Sequence, residues 1–317
     1  MSDRGSLRRK IAEEEARLAW IEKERAEALA KLQELRRRLA KEDAALATTI
    51  PPDVLPLPPN IPSTAEEKVA LFRSLFRGRE DVFPKLWENT KTGRKGYAPA
   101  CSNEWVGGVC RKPRVKCGNC SHRAFLPVTN QVVLDHLQGQ HVIGIYPLLP
   151  DETCFFLAAD FDGPSWQEDV AAFAATCRRI GVPPAIERPQ SGKGAHAWFF
   201  FSGPVLASVA RQMGCHLLTE TMSSRHQLSM SSYDRLFPNQ DTMPSGGFGS
   251  LIALPLQHKL RKEGNTVFVD EHFEPYPDQW TYFAALPRLS SEAVQVIADE
   301  AMRKDHLIGV LLAISAD

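Results

Sequence analysis

The chain has 317 residues, 38 basic and 38 acidic side chains, a net charge of zero and 43% hydrophobic residues. That is enough for two domains and an appendage with a real core, and it excludes a globally basic nucleic-acid binder, so any such surface must be local. No apolar run reaches transmembrane length and the charged N-terminus lacks the hydrophobic region of a signal peptide, so a cytoplasmic chain is expected.

Residues 6–46 contain no Gly or Pro and repeat apolar residues at heptad spacing: Ile11, Leu18, Leu32, Leu39 and Leu46 at one position, Leu7, Ile21, Ala28 and Leu35 at the other. Glu14, Arg25 and Glu42 interrupt the seam. The pattern predicts a coiled-coil helix over 1–47, serving dimerisation or partner docking, or else packing on its own domain. Residues 48–62 hold six prolines and read as a semi-rigid linker. Ser63 followed by Glu66 predicts a capped helix carrying Val69, Leu71, Phe72, Leu75 and Phe76 and stopping at Gly78.

From Lys85 to Arg123 the charge turns basic: Lys85, Lys91, Arg94, Lys95, Arg111, Lys112, Arg114, Lys116 and Arg123 against Glu88 and Glu104, with Trp87, Tyr97, Trp105 and Phe125 interleaved. Cations neutralise phosphates and aromatic faces stack unpaired bases, although a solvated basic loop has the same composition. Four of the seven cysteines fall here, Cys101, Cys110, Cys117 and Cys120. In a reducing compartment they predict a structural zinc site, with His122 the rival ligand for Cys101 or Cys110, and Gly118 permitting the tight turn between Cys117 and Cys120. Four thiolates leave no open coordination position for catalysis. Cys154, Cys177 and Cys215 read as inert core thiols.

A short helix is expected over 128–137 and a strand over 141–149. The apolar run from Thr153 to Phe161, closed by Gly163-Pro164, predicts a strand buried on both faces. Its last two polar residues, Asp160 and Asp162, stand at i and i+2 and so share one face. Adjacent carboxylates repel unless a cation lies between them, and hard divalent ions prefer oxygen ligands. The plainer alternative is a pair of solvated aspartates capping the following helix, residues 165–180. Another short strand is expected over 185–188.

Ser191-Gly192-Lys193-Gly194 then leads into the aromatic strand that starts near His196. It is not a Walker A loop, because the upstream Gly and the Ser or Thr after Lys are missing and a strand comes next. Its glycines still permit close backbone approach, and Ser191, Lys193 and His196 offer donors to a triphosphate. A helix over 205–226, a strand over 227–234 ending in Asp234, a long loop over 236–249, an apolar segment over 250–257, a strand over 265–271 and helices over 278–283 and 290–304 complete the pattern.

The Asp-x-Asp strand, the Ser-Gly-Lys-Gly-x-His turn and the later acid-bearing strand together resemble the archaeo-eukaryotic primase superfamily. Residues 70–82, 97–101, 151–154 and 232–241 are similar to one branch, the primase-polymerase domain of TOTE conflict systems, itself similar to CRISPR-associated primase-polymerases. The resemblance covers about residues 62–304 and leaves out the heptad stretch. It implies an α+β fold with an RRM-like sheet and flanking helices, a lead-in and zinc module over 63–138, a catalytic core over 139–304 and a tail over 305–317. It implies a DNA primase or polymerase in a mobile-element or defence system: Asp160, Asp162 and Asp234 hold two Mg or Mn ions, and Ser191, Gly192, Lys193, Gly194 and His196 bind the nucleoside triphosphate. Asp241 and Asp270 remain alternatives for the third acid. The implied partners are single-stranded DNA or a primer-template and, because the family often carries them further along one chain, a helicase or nuclease. A sugar-nucleotide transferase and a non-catalytic zinc-dependent nucleic-acid adaptor are the competing readings.

Overall fold

The computed structural model describes residues 61–224 and 232–303, together with Glu14, Arg17, Leu18, Trp20, Lys23, Glu24 and Lys31, each of them helical. The heptad seam, most of the proline linker and the tail over 305–317 lie outside the described residues. The chain divides at Pro58 into two units, and the second, Pro59–Asp317, contains every strand among the described residues. Among the described residues no helix is long and apolar enough to cross a membrane.

The first helix of this unit, α1 (Ala65–Leu75), starts one residue later than expected: Thr64, not Ser63, is its N-cap. The Thr64 hydroxyl accepts the Glu67 N–H at 3.2 Å and the Glu67 carboxylate accepts the Thr64 N–H at 3.1 Å, a reciprocal capping box. The helix ends at Leu75 rather than running to Gly78, which lies against Tyr146 and Ile145 with no room for a Cβ. Strands β1 (Pro84–Glu88) and β2 (Lys95–Pro99) form a hairpin, and the cysteine segment comes next, with a 3-10 turn over Cys117–Asn119. Helix α2 (Asn130–Leu137) starts at the Thr129 cap, and β3 (Gly144–Ile145) is much shorter than the strand expected over 141–149.

The central sheet contains β4 (Thr153–Asp162), β5 (Ala185–Arg188), β6 (Gly194–Leu206) and β7 (Tyr233–Phe237). Helix α3 (Trp166–Ile180) joins β4 to β5, and α4 (Ala207–Ser224) joins β6 to β7. Beyond β7 come β8 (Ile252–Ala253), α5 (His258–Lys262), β9 (Val267–Val269), α6 (Gln279–Ala284), β10 (Arg288–Leu289) and α7 (Ser291–Arg303). The strand order is β7-β4-β6-β5-β9, antiparallel throughout, with β10 added parallel to β6. The run β4-α3-β5-β6-α4-β7 is a split β-α-β arrangement, the sheet-and-helix architecture expected from the sequence.

Two cores sandwich this sheet. On one face Leu157, Ala159 and Phe161 pack with Val170, Phe173 and Cys177 of α3, Met213 and Leu217 of α4, and Val294 of α7. On the other, Phe156, Ala158, Trp198, Phe200 and Phe237 pack with Phe72, Phe76, Phe268 and Phe283. Each large side chain so buried contributes about 1.5–3 kcal/mol. Burial of alternate β4 residues in opposite cores fixes its register, because a one-residue slip would exchange the two faces. That register determines where its two aspartates point.

Strand β7 departs from expectation. It runs over Tyr233–Phe237, so Asp234 is its second residue rather than its end. Leu236 belongs to one core and Phe237 to the other, and this downstream burial pulls the strand past the acid. Residues 225–231, where the strand was expected to begin, lie outside the described residues. Likewise the expected helix over 205–226 starts only at Ala207, because Val205 and Leu206 still pair with Cys154 and Thr153.

Candidate active site

Asp160 and Asp162 lie on the aromatic face of β4, at its C-terminal end, where the cover of α1 and α6 gives way to solvent: Asp160 is half-buried and Asp162 exposed. Opposite them on β6, His196 pairs with Asp160 and Gly194 with Asp162. A Cβ at Gly194 would stand 2.6 Å from Asp162 Oδ1 and closer still to the Phe161 carbonyl. Glycine at 194 therefore makes room for a carboxylate, and the turn over 189–193 is held at the acidic end of the sheet.

The third acid arrives from the other side. On β7, Arg235 pairs with Asp160 and Tyr233 with Phe161, so Asp234 is an extra residue in a β-bulge. Tyr233 packs in the helix-side core, and the bulge re-aims the next residues. As a result Asp160, Asp162 and Asp234 bring ligand oxygens within 4.8 Å of one another. The rival acids are elsewhere: Asp241 accepts from Arg211 of α4 at 2.8 Å, and Asp270, beyond the far edge strand β9, accepts the N–H groups of His272 and Glu274 at 2.8 and 2.9 Å.

Burial pushes the Asp160 carboxyl up to about 6, with Asp162 and Asp234 adding to the rise and His196 and Arg235 opposing it. Arg235 Nε donates to Asp234 Oδ2 at 2.6 Å, a cation on the rim of the trio. Three oxygen donors converging with mutual repulsion suit one or more hard divalent ions.

His196 is buried between two acids. Its Nδ1 lies 2.9 Å from Glu187 Oε2 of β5, and its Nε2 lies 3.5 Å from Asp160 Oδ1. Glu187 Oε2 also accepts from Trp198 Nε1 at 2.8 Å. A carboxylate can only accept, so Nδ1 carries its proton toward Glu187 and Nε2 faces the trio. Burial alone would lower the His196 pKa, but the Glu187 charge and hydrogen bond, with Asp160 and Asp162, raise it. Glu187 has no role in the sequence reading: flanked by Ile186 and Arg188 in a four-residue strand, it gives no local signal, and only its cross-strand pairing with His196 supplies the partner a buried acid needs.

Two further groups brace the site. Asp169 of α3 accepts from Ser232 Oγ at 2.7 Å and from Ser165 Oγ at 3.1 Å, while the Ser232 carbonyl accepts the Asp162 N–H at 2.6 Å. Tyr97 of β2 donates to Gln190 Oε1 at 3.1 Å in the turn before Ser191, and burial with the Glu187 charge pushes its phenol up to about 12. Ser191 and Lys193 are exposed, Lys193 N–H donates to Ser191 Oγ at 3.2 Å, and Gly192 has φ +69°, where a side chain would also meet Asn265.

The four clustered cysteines, with His122, line one cavity. Backbone N–H groups of Lys112 and Trp105 hold the Cys110 thiol below its usual range, and Ala124 N–H donates to Cys101 Sγ at 3.4 Å. Such donors favour thiolates. Among the described residues, however, no three of these sulfurs come within the 4.8 Å that the acids reach. Gly118 is also explained differently from expectation. Its φ is not in the left-handed region; it is glycine because the Gly246 carbonyl, in the loop after β7, stands where a Cβ would go.

The family described as "TOTE conflict system, Archaeo-Eukaryotic Primase domain" matches residues 67–297. Among solved structures, the polymerase domain of Ligase D from Mycobacterium tuberculosis in complex with DNA aligns at 15% identity and a TM-score of 0.36, covering 80% of this chain and 91% of that one. No curated protein matches.

Proposed function

The chain belongs to the archaeo-eukaryotic primase family of TOTE conflict systems, and on that premise we propose that it is a template-directed nucleotidyltransferase that extends or starts a DNA primer. The observation that carries this reading is the convergence of Asp160, Asp162 and Asp234 from two antiparallel strands, with the His196 Nε2 edge facing them. In this reading the three carboxylates would hold two Mg or Mn ions. When bound, such ions lower the pKa of the attacking hydroxyl and offset charge developing in an in-line displacement.

The remaining roles belong to the chain's own groups. The rim end of β6 receives the triphosphate, with Lys193 and Ser191 from the exposed turn and His196 from the strand placing donors along it, a positioning and electrostatic contribution. Gly192 and Gly194 keep that approach clear. Glu187 fixes the His196 ring so that Nε2 points outward to the reacting groups. A zinc on Cys101, Cys110, Cys117 and Cys120 would be structural and would require these four sulfurs, which line one cavity, to draw closer than they stand, and the basic surface around them would grip a single-stranded template. Residues 6–46 would serve a second copy or a partner protein, and a helicase or nuclease would act with it.

The test is incubation with single-stranded template, Mg or Mn, and labelled ribo- and deoxyribonucleotides, with and without a primer. Incorporation is expected, and Asp160→Ala with Asp162→Ala should abolish it while leaving DNA binding intact. Extension by the double variant would refute the assignment. DNA binding without metal-dependent turnover in the unaltered protein would leave a nucleic-acid adaptor instead.

A further inference from the structure

The most exposed large hydrophobic residue of the cysteine segment is Trp105, with 70% of its surface in solvent. Its backbone is in the left-handed region, φ +62°, which disfavours a bulky aromatic and suits Gly or Asn. Its N–H is one of two backbone donors that favour the Cys110 thiolate. Any residue but proline offers that N–H, so it does not call for an indole. The ring stands at a tip with Val106, 43% exposed, and with Gly107 and Gly108, around which a Cβ would meet no atom within 4 Å. Lys112 Nζ lies 5.8 Å from the ring centre and is tethered to Glu104 Oε1 at 2.7 Å. One partly buried cation thus braces an otherwise open aromatic face.

Charge selects the occupant. Between residues 101 and 125 the basic side chains are Arg111, Lys112, Arg114, Lys116 and Arg123, and the single acid is Glu104, already paired with Lys112. Arg111, Arg114, Lys116 and Arg123 are all exposed, in a chain whose net charge is zero. An exposed flat ring on a segment that also carries four exposed cations is complementary to a base with its phosphates, and a paired base has no free face to offer. The tip's apolar surface is one ring and one valine, less than a membrane anchor presents.

We propose that Trp105 is a stacking platform for an unpaired base of the strand held by the cysteine segment. This rests on the nucleic-acid reading of the proposed function and names the subsite within it.

The test uses the full chain and a short fluorescent oligothymidine, followed by anisotropy over a range of salt. Trp105→Ala is expected to weaken binding about tenfold to a hundredfold, the range of one lost base–aromatic stack, while the slope of log K against log salt stays unchanged because no phosphate contact is lost. Trp105→Phe should recover most of the affinity. An oligomer of abasic sites should bind weakly and equally to the unaltered and Ala proteins. Trp105→Asn, which tolerates the backbone, should melt no lower than the unaltered protein. Unchanged affinity in Trp105→Ala, an equal loss on abasic strands, or a fall of several degrees in Trp105→Asn would overturn the proposal, as would binding to phosphatidylserine vesicles in preference to the oligonucleotide. Primer extension run alongside separates the two readings. If Trp105→Ala loses affinity and no protein extends a primer, the polymerase reading fails and the stacking site stands. If extension proceeds and Trp105→Ala binds normally, the stacking site alone fails.

Discussion

Gly194→Ala isolates the claim that this glycine exists to seat the Asp162 carboxylate. The new methyl would stand 2.6 Å from Asp162 Oδ1 and nearer still to the Phe161 carbonyl. Bringing the first contact to about 3.2 Å needs a shift of 3.2 − 2.6, or about 0.6 Å, and the backbone carbonyl behind it yields less easily than the side chain. Overpacking of this kind costs about 1–3 kcal/mol, which at this chain size lowers Tm by about 2–4 °C per kcal/mol. Displacing a reacting group by about 1 Å can cost a hundredfold in rate, so a shift of about 0.6 Å should reduce nucleotide incorporation at least tenfold. The assay pairs differential scanning fluorimetry, with and without Mn, with primer extension. The control is Gly203→Ala on the same strand, where a Cβ meets nothing within 4 Å and φ is not left-handed; it should be neutral or stabilise by about 0.4–1 kcal/mol. If Gly194→Ala keeps the normal Tm, Mn response and rate, the cross-strand packing of residue 194 on Asp162 is wrong.

Arg235→Gln removes the cation 2.6 Å from Asp234, so the metal-free protein should melt lower while the Mn-induced rise in Tm grows, because repulsion in the trio is left for the ion to relieve. A smaller Mn response in this variant would contradict that role. Asp169→Ala leaves the Ser232 hydroxyl and N–H without their buried acceptor; a loss of about 1–3 kcal/mol in urea unfolding is expected, together with a weaker Mn response, because Ser232 also holds the Asp162 backbone. Asp160 has a folded pKa of about 6 against an ordinary 3.8, so its ionisation opposes folding above about pH 6 and not below 3.8. Asp160→Asn should therefore raise the metal-free Tm at pH 7.5, with the gain fading as pH falls from 6 toward 4, and in the unaltered protein Mn should stabilise less below pH 6 as protons compete for the same oxygens. A gain that grows on acidification would reverse the sign and refute the reasoning.

The period-2 rule put Asp160 and Asp162 on one face because their strand is apolar on both sides and ends sharply, so burial and alternation agreed. Asp234 was harder. Its strand begins where the sequence predicts an end, and the bulge that turns it toward the other acids is a feature of register, invisible to propensity. Pairing of Glu187 with His196 is likewise a cross-strand match between two separately predicted strands. The capping box slipped by one residue because Ser63 and Thr64 are both good caps, and only the position of the Glu67 carboxylate chooses between them. For Gly118 the sequence offers only a turn as the local reason for glycine; the actual reason, a carbonyl from residue 246, is far away in sequence. The two-residue strands β3 and β8 exist only as partners of each other, so the apolar runs around them suggested longer elements than form.

The contact of Gly118 with Gly246 joins two further ones: Phe248 stacks on Tyr146 at 5.1 Å and meets Phe125 edge-on at 5.1 Å. The cysteine segment is therefore not a detachable finger on a string. It is fastened at its root to the stretch of chain that leaves the third acid's strand, so transplanting it between relatives would require moving residues 239–250 with it. A graft of residues 101–125 alone, carrying any side chain at 118, would prise the two apart.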